Sequence, residues 1–219
     1  LVFVTHAAHD KIILSQGGGA WGFLPHVAAT TVHVMVGVGG GALVGLLVGW
    51  LLVQLPLVRY HAEPLLEALR VIPPLIVIPF VLVAVGPTEL SQVLATGIYA
   101  ALSMLVHMLN AIANIPDEYG TIARLHGASR WQVFRTMTLP ACLPEMLAGL
   151  RITLAISLGI AVVAEYLGAP TGIGRVLKFS ISFARTDLML VGIIWVALLG
   201  LAFELLIDKV VLRRIRWRG

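Results

Sequence analysis

The chain has 219 residues, of which 59% are hydrophobic and only 12% are charged, and its formal net charge is +4. An ordinary soluble domain carries about 25% charged residues, so this composition and a mean hydropathy of +0.97 exclude a soluble domain of the usual kind. The basic residues are scattered between apolar stretches, which argues against a nucleic-acid-binding face.

The N-terminal residues carry little functional information. Residue 1 is Leu, and no basic region with a small-residue cleavage site follows it, so we expect a truncated N-terminus rather than a signal peptide. This leaves room for an upstream helix. His6, His9 and Asp10 have a spacing that a helix could present to a metal ion, but they are too few ligands, and we predict no metal site.

Long stretches without Asp, Glu, Lys or Arg predict membrane-spanning helices, because in hydrocarbon every backbone polar group must be hydrogen-bonded within its segment. We therefore predict an all-α membrane protein, a polytopic helical bundle in which residues 1–219 form a single transmembrane domain. The five predicted spans are residues 27–53, 66–85, 89–112, 144–167 and 188–210, and residues 113–143 form a long segment on one membrane face.

The distribution of basic residues predicts the orientation. Five spans place residues 54–65, 113–143 and 211–219 on one side. This side and the adjoining helix ends hold ten of the fifteen Lys and Arg residues, so we predict that it is cytoplasmic. The ten are Arg59, Arg70, Arg124, Arg130, Arg135, Lys209, Arg213, Arg214, Arg216 and Arg218. The opposite side holds Lys11, Arg175, Lys178 and Arg185. The last three attract an anionic solute, meet an acidic docking surface on a solute-binding protein, or are ordinary solvated charges.

Small residues mark one face of the first predicted helix. Gly37, Gly41, Gly45 and Gly49 recur every four residues, so they lie above one another and let another helix backbone approach closely. The approaching helix belongs either to the same chain or to a second copy. These glycines therefore predict helix packing or a dimer seam.

Prolines interrupt the second predicted span. Pro73, Pro74 and Pro79 each lack a backbone donor, and each ring clashes with the preceding turn, which predicts a kinked or broken helix. Such a break often lies beside a translocation pathway or gate, although a simple kink accommodated by neighbouring helices is the alternative.

An acidic residue ends the fourth predicted span. Glu165 lies beside Gly168 and Pro170, and an ionisable residue at membrane depth is a functional hypothesis because an unpaired charge there is costly. It is interpreted either as part of an outer gate or as a carboxylate that is hydrated at the helix end.

Residues 113–143 are predicted to form two short helices. Gly127 can take the left-handed conformation that ends a helix. Ser129 and Gln132 form a capping-box pattern that begins a second one, which Pro140 is predicted to end. The segment either anchors a partner protein through Arg and Trp side chains or rests on lipid headgroups with Trp131 inserted between them.

This segment resembles a known signature. Residues 115–140 read I-P-x-E-Y-x-x-x-A-R-x-x-G-A-S-R-W-Q-x-F-R-x-x-x-L-P, which is similar to the EAA loop of binding-protein-dependent ABC transporter permeases, in the branch that imports nitrate, taurine and aliphatic sulfonates. The resemblance continues through residues 69–74, 149–151, 164–165 and 172–174. One position departs from it, because Thr121 stands where the motif has its acidic residue.

The resemblance implies a type I ABC importer permease that crosses a bacterial plasma membrane several times. It implies that a coupling helix in residues 113–143, the coupling segment, docks on an ATPase subunit. The residues implied in coupling are Ala123, Arg124, His126, Gly127, Ala128, Ser129, Arg130 and Trp131. The implied partners are two ATPase subunits that bind ATP and Mg, a second permease copy and an extracytoplasmic solute-binding protein. The implied solute is small and of the sulfonate or nitrate kind, and it enters the cytoplasm by alternating access.

The chain itself is predicted to have no catalytic residues and no bound cofactor. None of its lysines lies in the G-x-x-x-x-G-K-[ST] pattern of a phosphate-binding loop, so a partner must hydrolyse ATP. An intramembrane protease would need a dyad such as His107 with Ser157, which no motif supports.

An ion-coupled secondary transporter or channel is the alternative function. Such a protein uses paired charges inside the membrane. Arg151, Glu165 and Glu204 are the candidates, and they form no obvious pair in the sequence.

Overall fold

A computed structural model of the chain describes residues 22–214, without the side chains of Arg70, Asp117, Tyr119, Arg124, Arg130 and residues 210–214. The predictions for His6, His9, Asp10, Lys11, Arg216 and Arg218 lie outside the described residues. Within 22–214 the helices are α1 (Leu24–Gln54), α2 (Pro56–Val71), α3 (Pro74–Val85), α4 (Glu89–Ala113), α5 (Asp117–Leu125), α6 (Arg130–Val133), α7 (Leu139–Gly168), α8 (Ile173–Ser182) and α9 (Thr186–Arg214).

The described residues contain four helical stretches that are long and apolar enough to cross a membrane. They are Leu24–Gln54, Glu89–Ala113, Trp131–Gly168 and Thr186–Lys209. A fifth candidate is the pair of α2 and α3, whose axes meet at an angle of 94°. The chain is extended at Ile72, and Pro74 begins α3, so the two adjacent prolines break the helix, while Pro79 lies inside α3.

Glycines hold α1 and α4 together. A Cβ atom on Gly41 would lie 2.2 Å from the carbonyl oxygen of Gly97, and one on Gly45 would lie 2.1 Å from that of Ala101. Only glycine permits these backbone contacts. Since α4 of the same chain covers the glycine face, the alternative of a dimer seam through Gly37, Gly41, Gly45 and Gly49 is wrong.

The second short helix of the coupling segment does not stop at Pro140, so that prediction is wrong. A π-helical turn at Phe134–Thr138 joins α6 to α7, and the Leu139 N–H reaches back five residues to the Phe134 oxygen. Pro140 then occupies the first turn of α7, where its missing donor costs little. The helical stretch therefore continues from Trp131 to Gly168.

The helices alternate in direction, so that Leu24, Glu89 and Gly168 lie at the end of the bundle opposite the coupling segment, which we call the distal end. Between the two ends, α1, α4, α7, α8 and α9 bury a common apolar core. Its members are Val34, Val38, Ala100, Leu154, Leu158, Ala161, Ile173, Leu199, Phe203 and Ile207. Large apolar side chains such as Val44, Phe80 and Leu201 point outward, as suits contact with lipid.

Candidate functional site

The turn of the coupling segment is built by backbone hydrogen bonds. Gly127 has a φ of +82°, and the Ala128 N–H donates to the Ala123 oxygen over 3.1 Å, which closes α5. The Ser129 N–H then donates to Gln132 Oε1 over 2.8 Å, while the Gln132 N–H donates to Ser129 Oγ over 3.2 Å. The predicted glycine turn and capping box are both present.

Three aromatic side chains connect this segment to α1. The rings of Trp131 and Phe134 stack with centroids 5.7 Å apart, and Phe134 lies 6.0 Å from the ring of Trp50, near the end of α1. Trp131 is 61% exposed and Leu125 is 81% exposed. The segment therefore presents an exposed apolar surface whose base contacts a long helix of the bundle.

A cavity with both apolar and polar lining residues lies beside the helix break. Its volume is about 330 Å³, and its lining includes Pro74 together with four polar side chains of α4. They are Tyr99, Ser103, His107 and Asn110. Pro74, one of the two prolines singled out in the sequence, thus reaches a cavity, whereas Pro73 is not among its lining residues.

Sequence reasoning missed this polar face of α4. Tyr99, Ser103, His107 and Asn110 are spaced by four, four and three residues, so they share one side of a helix, and this period was the available signal. The opposite side of α4 packs on the glycine face of α1. Polar side chains on one side of a membrane helix must form hydrogen bonds with water, protein or solute.

Glu165 is buried rather than hydrated, so the interpretation as a carboxylate in water at the helix end is wrong. Its side chain is inaccessible and accepts three hydrogen bonds. Thr30 Oγ1 and the Gly174 N–H donate to Oε2 over 2.9 Å each, and Oε1 lies 2.8 Å from His33 Nδ1. The carboxylate instead ties α7 to α1 and to the first turn of α8.

Removing the Glu165 carboxylate should destabilise the bundle. Glu165→Leu leaves the Thr30 hydroxyl, the Gly174 N–H and the His33 ring without an acceptor, and we expect a loss of about 3 to 5 kcal/mol. Glu165→Gln keeps an acceptor oxygen and should lose less than half as much. Thermal unfolding in detergent measures both, and a Glu165→Leu protein as stable as the parent would show that these hydrogen bonds stabilise nothing.

Other charged residues at membrane depth are paired, contrary to the sequence expectation. Arg151 Nε lies 3.0 Å from Glu204 Oε1, and a second nitrogen of its guanidinium contacts Asp208. These pairs join α7 to α9 across a sequence separation of more than fifty residues, so no local pattern indicates them.

The basic residues near α8 also have partners. Arg175 donates to the Ala169 oxygen over 2.7 Å, and Lys178 reaches the Leu167 oxygen over 3.3 Å. Arg185 and Asp187 form a bidentate pair. These contacts stabilise helix ends, while the Lys178 and Arg185 side chains remain exposed to a large extent.

Within residues 22–214, no cluster of at least three His, Cys, Asp or Glu side chains could hold a metal ion. The buried Ser157 hydroxyl has no hydrogen-bond partner, so His107 does not act on it as a base. The single cysteine, Cys142, is buried in α7.

Comparison with known proteins agrees with this geometry. Residues 24–216 match the family described as binding-protein-dependent transport system inner membrane component. The chain is 33% identical to the taurine transport system permease protein TauC of Escherichia coli (strain K12), over 89% of this chain and 70% of that protein. It is 28% identical to the nitrate import permease protein NrtB of Leptolyngbya laminosa, over 96% and 76% of the two chains.

The fold is also that of a solved structure. A chain of the MetNI methionine ABC transporter in an inward-facing conformation superposes with a TM-score of 0.78 at 23% identity, over 90% of this chain and 97% of that one. The chain therefore belongs to the binding-protein-dependent transport system inner membrane component family, as a multi-pass permease component of an ABC importer that leaves ATP hydrolysis to partner subunits.

Proposed function

We propose that this permease moves a small anionic solute, of the sulfonate or nitrate kind, into the bacterial cytoplasm by alternating access. Two copies of the chain form the pathway, with α1, the α2–α3 pair, α4, α7 and α9 as the five spans of each single transmembrane domain. Two ATPase subunits bind to the coupling segments on the cytoplasmic side, and an extracytoplasmic binding protein delivers the solute. Membership of an ATP-driven family leaves no support for the ion-coupled alternative.

The cavity beside Pro74 carries this proposal. Tyr99, Ser103 and Asn110 offer hydroxyl and amide groups, which can donate hydrogen bonds to an oxyanion. The described lining residues of this cavity include no Asp or Glu, and the nearby Glu145 carboxylate lies 3.7 Å from Nδ1 of the lining residue His107. Relatives that carry taurine and nitrate in their names fit the same chemistry.

In the proposed pathway, Pro73, Pro74 and Glu165 have different roles, although the sequence predicts all three at the pathway or gate. Pro74 and the polar face of α4 line the route, and Pro73 contributes through the break alone. The inaccessible Glu165 carboxylate holds the distal end together, and we place it behind the pathway, although Glu165 belongs to the lining of a distal cavity with Arg175 and Lys178. Its role at the gate is therefore indirect.

The coupling route follows the aromatic contacts. The residues from Ala123 to Trp131 dock on the ATPase subunit, and movement of Trp131 shifts Phe134 and then Trp50 on α1. Because α1 and α4 touch through backbone atoms at the glycine face, they move as one body. The displacement therefore reaches the helix that carries the polar face.

Cysteine accessibility tests the pathway. Ser103→Cys and Asn110→Cys should react with a charged thiol reagent, and bound solute should slow this reaction. Ile98→Cys is the matched control, because Ile98 lies on the same helix and is exposed on its apolar side. The native Cys142 is fully buried and should stay unmodified.

The assay is performed on the complete transporter in liposomes with its binding protein. If Ser103→Cys and Asn110→Cys react no faster than Ile98→Cys, the polar face of α4 does not line the pathway. Competition of uptake by taurine, nitrate and short alkane sulfonates then identifies the solute class, and indifference to all three would reject an oxyanion.

A further inference from the structure

His33 lies between two carboxylates at the distal end. Its Nδ1 atom is 2.8 Å from Glu165 Oε1 on α7, and its Nε2 atom contacts Glu89 Oε2 on α4. The imidazole is almost completely buried, whereas the Glu89 side chain is 48% exposed. The three residues come from three different helices, and we call them the distal triad.

Two hydrogen bonds of Glu165 place donors on its Oε2 atom. The Thr30 hydroxyl accepts from the Ile173 N–H over 2.9 Å, so its own proton points to Glu165 Oε2. The same oxygen also accepts from the Gly174 N–H. Oε2 therefore acts as an acceptor, and the proton in the contact between Glu165 and His33 lies between Oε1 and Nδ1.

The contact between His33 and Glu165 holds one proton, and His33 Nε2 faces the second carboxylate, Glu89. If that were the only proton of the triad, Nε2 would be a bare acceptor facing an ionised Glu89, and the two would repel each other. The contact needs one more proton between His33 and Glu89. Glu89 also accepts a hydrogen bond from the Thr171 hydroxyl over 2.8 Å, and its side chain is half exposed.

We infer that the distal triad is a proton-binding site: with a proton in each of its two contacts, His33 clamps Glu89 of α4 to Glu165 of α7, and loss of one of these protons to the outer medium releases α4. The exposed side of Glu89 gives the proton a route to water. The clamp is complete at low pH, where both contacts of His33 hold a proton, and it is lost as the pH rises through the titration of the triad.

The charged groups around the triad do not replace this proton. His26 on α1 accepts from the Gly172 N–H at Nδ1, so that nitrogen is unprotonated. On α8, Arg175 and Lys178 donate to backbone oxygens of the α7 end. At the start of α9, Arg185 and Asp187 bind each other. The described contacts of His33 with acidic groups are those with Glu89 and Glu165.

Because of where the triad lies, binding or loss of the proton changes how firmly α4 is held to α7. Glu89 is the first residue of α4, and α4 carries the polar face of the cavity. Releasing this end of α4 from α7 separates the two helices where the pathway would open to the outside. The effect on uptake depends on the proposed function, but the proton-dependent contact between α4 and α7 does not.

Distance measurements test the site directly. Spin labels at Leu90→Cys on α4 and Leu167→Cys on α7 occupy exposed positions beside the triad. In the complete transporter in liposomes, with the inner pH fixed, we expect the distance between the labels to increase when the outer pH is raised across roughly pH 5 to 9. A distance that is constant over this range would overturn the proposal.

Two substitutions of Glu89 are expected to have opposite effects on the distance between α4 and α7. Glu89→Gln should keep the helices together at every pH, because an amide can donate to an unprotonated Nε2 or accept from a protonated one. Glu89→Ala should keep them apart at every pH. Glu63→Gln is the control, since Glu63 is a half-exposed acid on α2 that pairs with Arg59, and it should behave as the parent does.

These outcomes separate the inference from the proposed function. A pH step that persists unchanged in Glu89→Gln would show that another group titrates and would overturn the assignment. If the step behaves as expected but uptake of all tested anions is absent, the distal triad stands and the proposed solute class fails.

Discussion

Gly45→Ala is expected to destabilise the permease by about 3 kcal/mol, although it adds only one methyl group. The new Cβ atom would lie 2.1 Å from the carbonyl oxygen of Ala101, which belongs to the backbone of α4 and cannot rotate away. The two helices would have to separate, and the contacts along their whole length would weaken. Thermal unfolding and size-exclusion chromatography in detergent measure the result.

Gly40→Ala provides a closely matched control. Gly40 lies on the same helix, but a Cβ atom there meets nothing within 4 Å. The change should be neutral or slightly stabilising, because alanine is a better helix former than glycine. Equal melting temperatures for Gly40→Ala and Gly45→Ala would show that the backbones of α1 and α4 do not approach each other closely at Gly45.

The regular features of the fold could be predicted from sequence because they depend on local patterns. Apolar length predicts the spanning helices, adjacent prolines predict the break near Pro74, and a four-residue glycine period predicts a close helix contact. The glycine period does not show which helix packs against it. It could therefore not distinguish α4 of the same chain from a second copy.

The candidate site was only partly predictable for a related reason. The turn at Gly127 and the capping box depend on residues within three positions of each other, and both follow from sequence. Glu165 meets Thr30 and His33 across more than 130 residues, so its burial depends on tertiary packing. The π-helical turn before Pro140 likewise depends on how the segment joins α7.

Trp131→Ala is expected to uncouple the permease from its ATPase subunits. Trp131 is largely exposed, and exposed Trp side chains often dominate an interface, so we expect a loss of about 2 kcal/mol or more in binding, roughly thirty-fold in affinity. ATP-driven uptake should fall with it. Thr136→Ala is the control, since Thr136 is also exposed in this segment and its hydroxyl bonds only locally, to the Gln132 oxygen.

Phe134→Ala distinguishes docking from transmission of movement. Phe134 is partly buried between Trp131 and Trp50, so its loss should leave most of the docking surface intact and open a gap between the segment and α1. We expect ATPase subunits to bind this variant almost normally while ATP hydrolysis no longer drives uptake. If Phe134→Ala instead lost ATPase binding as fully as Trp131→Ala, the aromatic contacts would serve docking alone, and another contact would have to carry the movement to α1.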